Sequence, residues 1–385
     1  MFNNAPMHNS STYDDIRPYA DHEVQAVIHQ LIAKPSFRKL LAYLFPERTY
    51  ELLIADLKNV KTVHQLQKQL IYKVVRSIVR QSIRELTFTG LDHLDLTQSY
   101  LFISNHRDII LDSALLNSLL FEHGYDTAHI AIGDNLLFSN LVSDLMKLNK
   151  AFVVQRALGG QEMYEHTRHL SAYIRHVLTE LAQPVWIAQR SGRTKDGNDQ
   201  TQTGLLKMLS ISGGKDFVKS FEQLRLVPVA ISYEYDPCDI LKAVESYTRA
   251  QTDNYLKQAG EDKKSMVLGI TENKGRVEVA IGKPIMDELP SIVSIQNKNE
   301  RFRQFAMIID EQIHLNYRLW PTHYIAADLL YDSQNYTAHY TPMEKSSFER
   351  YIEDRLAQAS IKDELLKGFL LQIYANPVTN KRYHS

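Results

Sequence analysis

Cysteine occurs once in this 385-residue chain, as Cys238, so no intramolecular disulfide can form and no thiolate cluster can hold a metal. A single cysteine of this kind reads as a small apolar residue near a strand end. Long hydrophobic runs are missing too: no stretch approaches the roughly 18 apolar residues of a membrane span. Neither sign of charge is in excess. Lys and Arg total 44 against 45 Asp and Glu, a net charge of −1, which gives no support for nucleic-acid binding. The opening "MFNNAPMHNSSTYDD" lacks the basic-then-apolar order of a signal peptide. The expectation is a cytoplasmic protein with enough core for one large domain with additions, or for two domains.

Glycine is scarce before residue 106, where Gly90 is the only one. That scarcity disposes of one tempting motif. His106, Arg107 and Asp108 spell the H-R-D of a protein-kinase catalytic loop. A kinase also needs an upstream glycine-rich loop over the ATP phosphates and an Asn five residues after the Asp. Position 113 is Ser113, and no D-F-G follows at a suitable distance. The triplet is a coincidence, and His106 needs another explanation.

Three regions follow one another along the chain. Residues 1–86 are expected to be a helical front, polar and loose to about residue 18. From Asp21, Val24, Val27, Ile28, Leu31 and Ile32 recur at helical spacing, and "FRKLLAYLF" stops at Pro46. A third helix, roughly His64 to Leu86, carries Ile71, Val74, Val75, Ile78, Val79 and Ile83 on one stripe, with Lys68, Lys73, Arg76, Arg80 and Arg84 elsewhere. Such a helix lies on an anionic bilayer surface, or packs its stripe on the core with the arginines solvated, which is the commoner arrangement. Residues 87–285 alternate strands with helices. "SYLFIS", "AHIAIGD", "KAFVVQR", "PVWIAQ", "LRLVPVAISYEY" and "RVEVAIG" read as strands, and a helix is expected around 239–258. The fold class implied is α/β, with a mostly parallel central sheet covered by helices and N- and C-terminal helical extensions. Residues 286–385 return to helical texture.

His106 leaves a buried strand directly before a helix, at the carboxyl edge where open α/β sheets place ligands. Asp108 is a natural N-cap for that helix. Asp112 shares a helical stripe with Leu115, Leu116, Leu119 and Leu120, where a carboxylate is costly unless paired. His106 is its obvious partner. Such a pair leaves one imidazole nitrogen as a base, or is a structural bond with no chemistry, and these residues alone leave both open.

"FISNHRDIILDSALL" resembles the first motif of the glycerolipid acyltransferases, the glycerol-3-phosphate and lysophosphatidate acyltransferase family. "AFVVQR", "VWIAQRSGRTKDG" and "LVPVAI" resemble the second, third and fourth blocks, in the same order, across roughly residues 87–235. Two positions depart from the pattern. Family spacing puts the aspartate at Leu111, one residue before Asp112, and Ser191 stands where a glutamate is expected before Gly192.

The resemblance implies transfer of a fatty acyl group from acyl-CoA or acyl-carrier protein to a hydroxyl of a glycerol-phosphate or lysophospholipid acceptor. His106 would be the general base and Asp112 its orienter, with no acyl-enzyme and no nucleophile elbow. Arg156 and Arg193 stand at the family's phosphate-binding positions. Asn105, Arg107 and Gly192 are further substrate-side candidates, the last through backbone N–H groups for an oxyanion, and Lys147 and Lys150 add positive potential. Pro228 is expected to shape its strand. No metal and no cofactor beyond the thioester co-substrate is implied, since the fifteen histidines are scattered. The front helix suits peripheral association with the inner face of a membrane. Two alternatives stay open: an amino-lipid or lipid-A-like acceptor, and a catalytically degenerate lipid-binding protein.

Overall fold

The computed structural model describes residues 12–383 apart from 96, 157–158, 253–254, 256 and 259. The expectation of a loose start therefore falls, for residues 1–11, outside the described residues. Two compact units form. Among the described residues, one contains residues 12–71 and 129–173, and the other residues 72–128 and 174–383.

The larger unit holds five strands: β1 (Glu85–Thr89), β2 (Leu101–Ser104), β5 (Val185–Ala188), β6 (Leu226–Tyr233) and β7 (Arg276–Ile281). Their order is β1-β7-β6-β2-β5. All neighbours are parallel except β6 and β7, so β2 lies between two parallel partners, with Ile103 opposite both Ile187 and Pro228. Every residue of β6 is buried, including Pro228, as expected of a strand covered on both faces. Pro228 stands one residue before β7 pairing begins at Val229. The smaller unit contributes β3 (His129–Gly133) and β4 (Ala151–Val154), again parallel. The α/β class and the mostly parallel sheet are as the alternation of the sequence implied.

Three boundaries differ from the sequence reading. The third front helix is α-helical over Val63–Leu66 and Tyr72–Ser82, with a π-helical turn at Gln67–Ile71 between them. It ends at Ser82 rather than Leu86, because Glu85 and Leu86 pair in β1 with Arg276 and Val277. Strand β1 went unread because "ELTFT" is short and only half-buried. The helix placed around 239–258 ends at Gln251, and residues 253–254 and 256 lie outside the described residues.

The helix Leu111–Glu122, which follows β2, is buried at nine of its positions rather than along one stripe. Its Asn117 amide exchanges hydrogen bonds with both backbone groups of Ala128, so that polar side chain does not oppose burial. At the chain's end, the helices Pro321–Leu330, Pro342–Gln358 and Leu365–Arg382 pack on the helix Asp239–Gln251 around Ala243, Ala326, Phe348, Leu370 and Tyr374.

Candidate active site

Strand β2 ends at Ser104, and the next six residues form a loop and turn before the helix at Leu111. Two chain features fix that turn. Asp108 Oδ1 accepts the N–H groups of Ile110 at 2.9 Å and Leu111 at 2.7 Å, but the helix starts at Leu111 with Ile110 at its N-cap, so Asp108 holds the turn before the helix instead of occupying the N-cap position expected for it. Asp112 Oδ2 accepts the N–H groups of Arg107 at 2.7 Å and Asp108 at 3.0 Å from one turn further on. The same oxygen lies 2.8 Å from His106 Nδ1, while Asp112 Oδ1 accepts the Tyr233 hydroxyl at 2.8 Å. The Asp112 side chain is fully buried and that of His106 is 13% exposed. His106 Nε2 has no hydrogen-bond partner among the described residues, and the ring meets Trp186 edge-on at a centroid distance of 5.8 Å. The chain turns at Ile109–Ile110 before the helix, and Asp112 reaches the histidine.

An imidazole whose Nδ1–H is accepted by this carboxylate presents Nε2 as an acceptor. Asp108 differs from its neighbour. Burial, with Asp112 beside it, raises the Asp108 carboxyl above the usual range, and its buried Oδ2 has no partner among the described residues.

The segment after β5 is joined to this loop. Thr194 N–H donates to the His106 carbonyl at 2.9 Å, and Gln189 N–H donates to the Ser104 carbonyl at 2.8 Å. Ser191 N–H donates to Gln202 Oε1 at 2.9 Å. Gly192 has φ +75° and nothing within 4 Å of an added Cβ, so backbone conformation rather than crowding calls for glycine. Arg193, next to Thr194, is 7% exposed, and its Nη1 is buried with no hydrogen-bond partner among the described residues. Burial and Arg193 push the Lys195 ammonium down to about 8, against the pull of Glu245 at 2.6 Å.

Arg107 and Asn105 do other work than binding substrate. The Arg107 side chain is 1% exposed, bonded to Asp199 at 2.6 Å and Asp236 at 2.8 Å, with Tyr317 beneath its guanidinium. Asn105, fully buried, exchanges hydrogen bonds with both backbone groups of Ile231 and donates to Asp199 at 3.3 Å. Thr194 Oγ1 donates to the other Asp199 oxygen, and Lys242 pairs with Asp236 while donating to the Arg107 carbonyl at 2.8 Å. These buried charges clamp the His106 loop to the segment after β5 and to the end of β6. Asp236 N–H also donates to the Tyr374 hydroxyl, and Tyr374 donates to Asp239, whose carboxylate is held by Arg355. The clamp thus continues into the C-terminal helices.

Arg156, Lys147 and Lys150 belong to the smaller unit. Arg156 is exposed just after β4; its backbone N–H faces Asp134 at 3.5 Å, and its guanidinium lies so close to Gly133 that a Cβ there would come within 2.5 Å of Nε. Lys147 covers the Tyr19 ring at 5.4 Å.

The sequence reading missed Trp186, Tyr233, Asp199 and Asp236. A tyrosine closing an otherwise apolar strand was a readable signal for Tyr233. Nothing distinguished the two loop aspartates from ordinary solvated ones.

Residues 85–232 match the family model described as Acyltransferase. The human dihydroxyacetone phosphate acyltransferase is 24% identical over 279 residues, which is 68% of this chain and 37% of that protein. A glycerol-3-phosphate acyltransferase of Hamiltonella defensa subsp. Acyrthosiphon pisum is 28% identical over 229 residues, 59% of this chain and 25% of that one. This chain therefore spans little more than a third of the human relative's length. The crystal structure of a 1-acyl-sn-glycerophosphate acyltransferase from Thermotoga maritima superposes with a TM-score of 0.41 at 11% identity, covering 74% of this chain and 92% of that one.

Proposed function

We propose that the chain, whose residues 85–232 match the family model described as Acyltransferase, transfers a fatty acyl group from an acyl thioester to a hydroxyl of a glycerol-type phosphate. The observation that carries this reading is the His106–Asp112 pair, with Nδ1 held at 2.8 Å and Nε2 left without a partner among the described residues.

An alcohol is a weak nucleophile at neutral pH. In the reaction His106 Nε2 removes the hydroxyl proton as the oxygen attacks the thioester carbonyl carbon. The negative charge of Asp112 stabilises the imidazolium that forms, contributing to a general-base effect of roughly 10²–10⁴ in rate. When the tetrahedral intermediate collapses the C–S bond breaks, and the imidazolium returns its proton to the leaving thiolate. Backbone N–H groups around Gly192 are the donors assigned to the oxyanion.

Arg193 is the phosphate ligand of this reading, because a buried guanidinium with an unused N–H gains most from an anionic partner. Arg156 is retained as a second candidate, and the names of the relatives favour a small phosphorylated triose or glycerol over other amphiphilic acceptors. No helix among the described residues is long and apolar enough to cross a membrane. Peripheral docking is assigned to the helix Tyr72–Ser82, where Val74, Ile78 and Val79 are part-exposed beside Lys73, Arg76 and Arg80.

Thiol release from acyl-CoA and from acyl-carrier protein, with glycerol 3-phosphate, dihydroxyacetone phosphate and lysophosphatidate as acceptors, tests this function. Acceptor-dependent release with at least one pair supports it. Release indifferent to every acceptor removes it.

A further inference from the structure

We propose that Tyr233 is a positioning residue for the His106–Asp112 pair, and that its hydroxyl sets the pH at which His106 becomes free to act as a base. The inference rests on the reading of that pair as the general-base unit.

Asp112 divides its hydrogen bonds unequally. Oδ2 accepts from His106 Nδ1, Arg107 N–H and Asp108 N–H, whereas Oδ1 has Tyr233 Oη at 2.8 Å alone. Both side chains are buried, so removing the phenol hydroxyl leaves a desolvated carboxylate oxygen. Tyr233 ends β6, the strand beside β2, so sheet pairing holds the phenol relative to the histidine loop. Burial, together with Asp112, Asp108 and Asp236 around it, raises the phenol far above its usual titration range. It therefore stays a neutral donor throughout the working pH range.

The other charges nearby do not hydrogen-bond Asp112. The Arg107 guanidinium is turned to Asp199 and Asp236, and Lys242 pairs with Asp236. Arg193 and Lys274 act on Asp108 through space, and none of these four side chains donates to Asp112. Tyr233 is thus the side-chain donor that competes with the imidazole for carboxylate charge. By drawing charge toward Oδ1 it weakens the hold of Oδ2 on the imidazolium, and His106 loses its proton at a lower pH. Without the phenol hydroxyl the carboxylate stabilises the imidazolium more strongly, and less of the base form exists near neutrality.

The test is a ring-carbon NMR titration of ¹³C-histidine-labelled full-length protein, with the His106 resonance assigned by its loss in His106→Ala. In Tyr233→Phe the midpoint is expected to rise by about 0.5–1 pH unit. The acid limb of kcat should move with it, while KM for the thioester stays constant. Site-specific 3-fluorotyrosine at position 233, a stronger donor, should move the midpoint down. An unchanged midpoint in folded Tyr233→Phe overturns the inference. If that variant does not fold, the fluorotyrosine protein decides, and no downward shift overturns it. The titration needs no turnover: a shifted midpoint in a protein without activity would leave the role of Tyr233 standing and remove the acyltransferase reading instead.

Discussion

His106 Nδ1 lies 2.8 Å from Asp112 Oδ2, although the aspartate comes one position later than the acyltransferase spacing puts it. Two N–H groups of the loop fix the carboxylate from behind. Asp112→Asn should therefore leave the fold intact but remove the charge that stabilises the imidazolium. We expect kcat to fall about 10²–10⁴-fold with KM little changed. Steady-state kinetics check this, and a loss confined to KM would contradict it.

Arg107 braces the site from within. Removing its guanidinium strands Asp199 and Asp236 in the interior, Asp199 without a cation and Asp236 with Lys242 alone. Breaking a buried pair by deleting one partner costs about 3–5 kcal/mol. Arg107→Met should lower the denaturant midpoint accordingly. Arg107→Lys should recover little, because an ammonium cannot span two carboxylates as a planar fork does. An undisturbed midpoint in Arg107→Met would contradict the clamp.

How the site divides into legible and illegible parts follows from the range of each signal. His106 and Asp112 were readable because strand exit, helix start and a carboxylate on an apolar stripe are all local patterns. Arg107 was misassigned because its partners, Asp199 and Asp236, are 92 and 129 residues away along the chain. An arginine beside a candidate base looks like a ligand until the opposing carboxylates are seen. The alternation of strands and helices announced the α/β class for the same local reason. Strand β1 was hidden, because five residues, the outer two exposed and the middle three half-buried, carry no period strong enough to end the preceding helical pattern. The antiparallel turn of β7 against β6 is likewise invisible to periodicity.

Asp310 makes stability depend on pH. Its Oδ1 accepts the N–H and the hydroxyl of Thr201 at 2.8 and 2.6 Å, and burial raises the carboxyl to about 7. The folded state thus holds a proton that the unfolded chain releases near 4. That contribution is fully present below about 4 and is lost as pH rises through about 7. Asp310→Asn keeps an acceptor for Thr201 and cannot ionise. Its Tm should exceed that of the parent at pH 8, and the gain should shrink toward pH 5. A pH-independent difference would contradict the assignment.

Acceptor recognition separates the two candidate arginines. Hydrogen bonds to charged groups contribute about 1.5–3 kcal/mol, a factor of roughly 10–150. Arg193→Ala should raise KM for a phosphorylated acceptor within that range and leave KM for the thioester unchanged. The same substitution at Arg156 gives the comparison. Equal KM values in parent and Arg193→Ala would remove Arg193 from the phosphate site.

The most direct measurement follows free thiol with time for the parent protein and for His106→Ala, each with thioester and a glycerol-type phosphate. The account predicts acceptor-dependent release by the parent and a loss of about 10²–10⁴-fold in the variant, with both proteins unfolding at similar temperatures. Equal rates of release from the two proteins would contradict it.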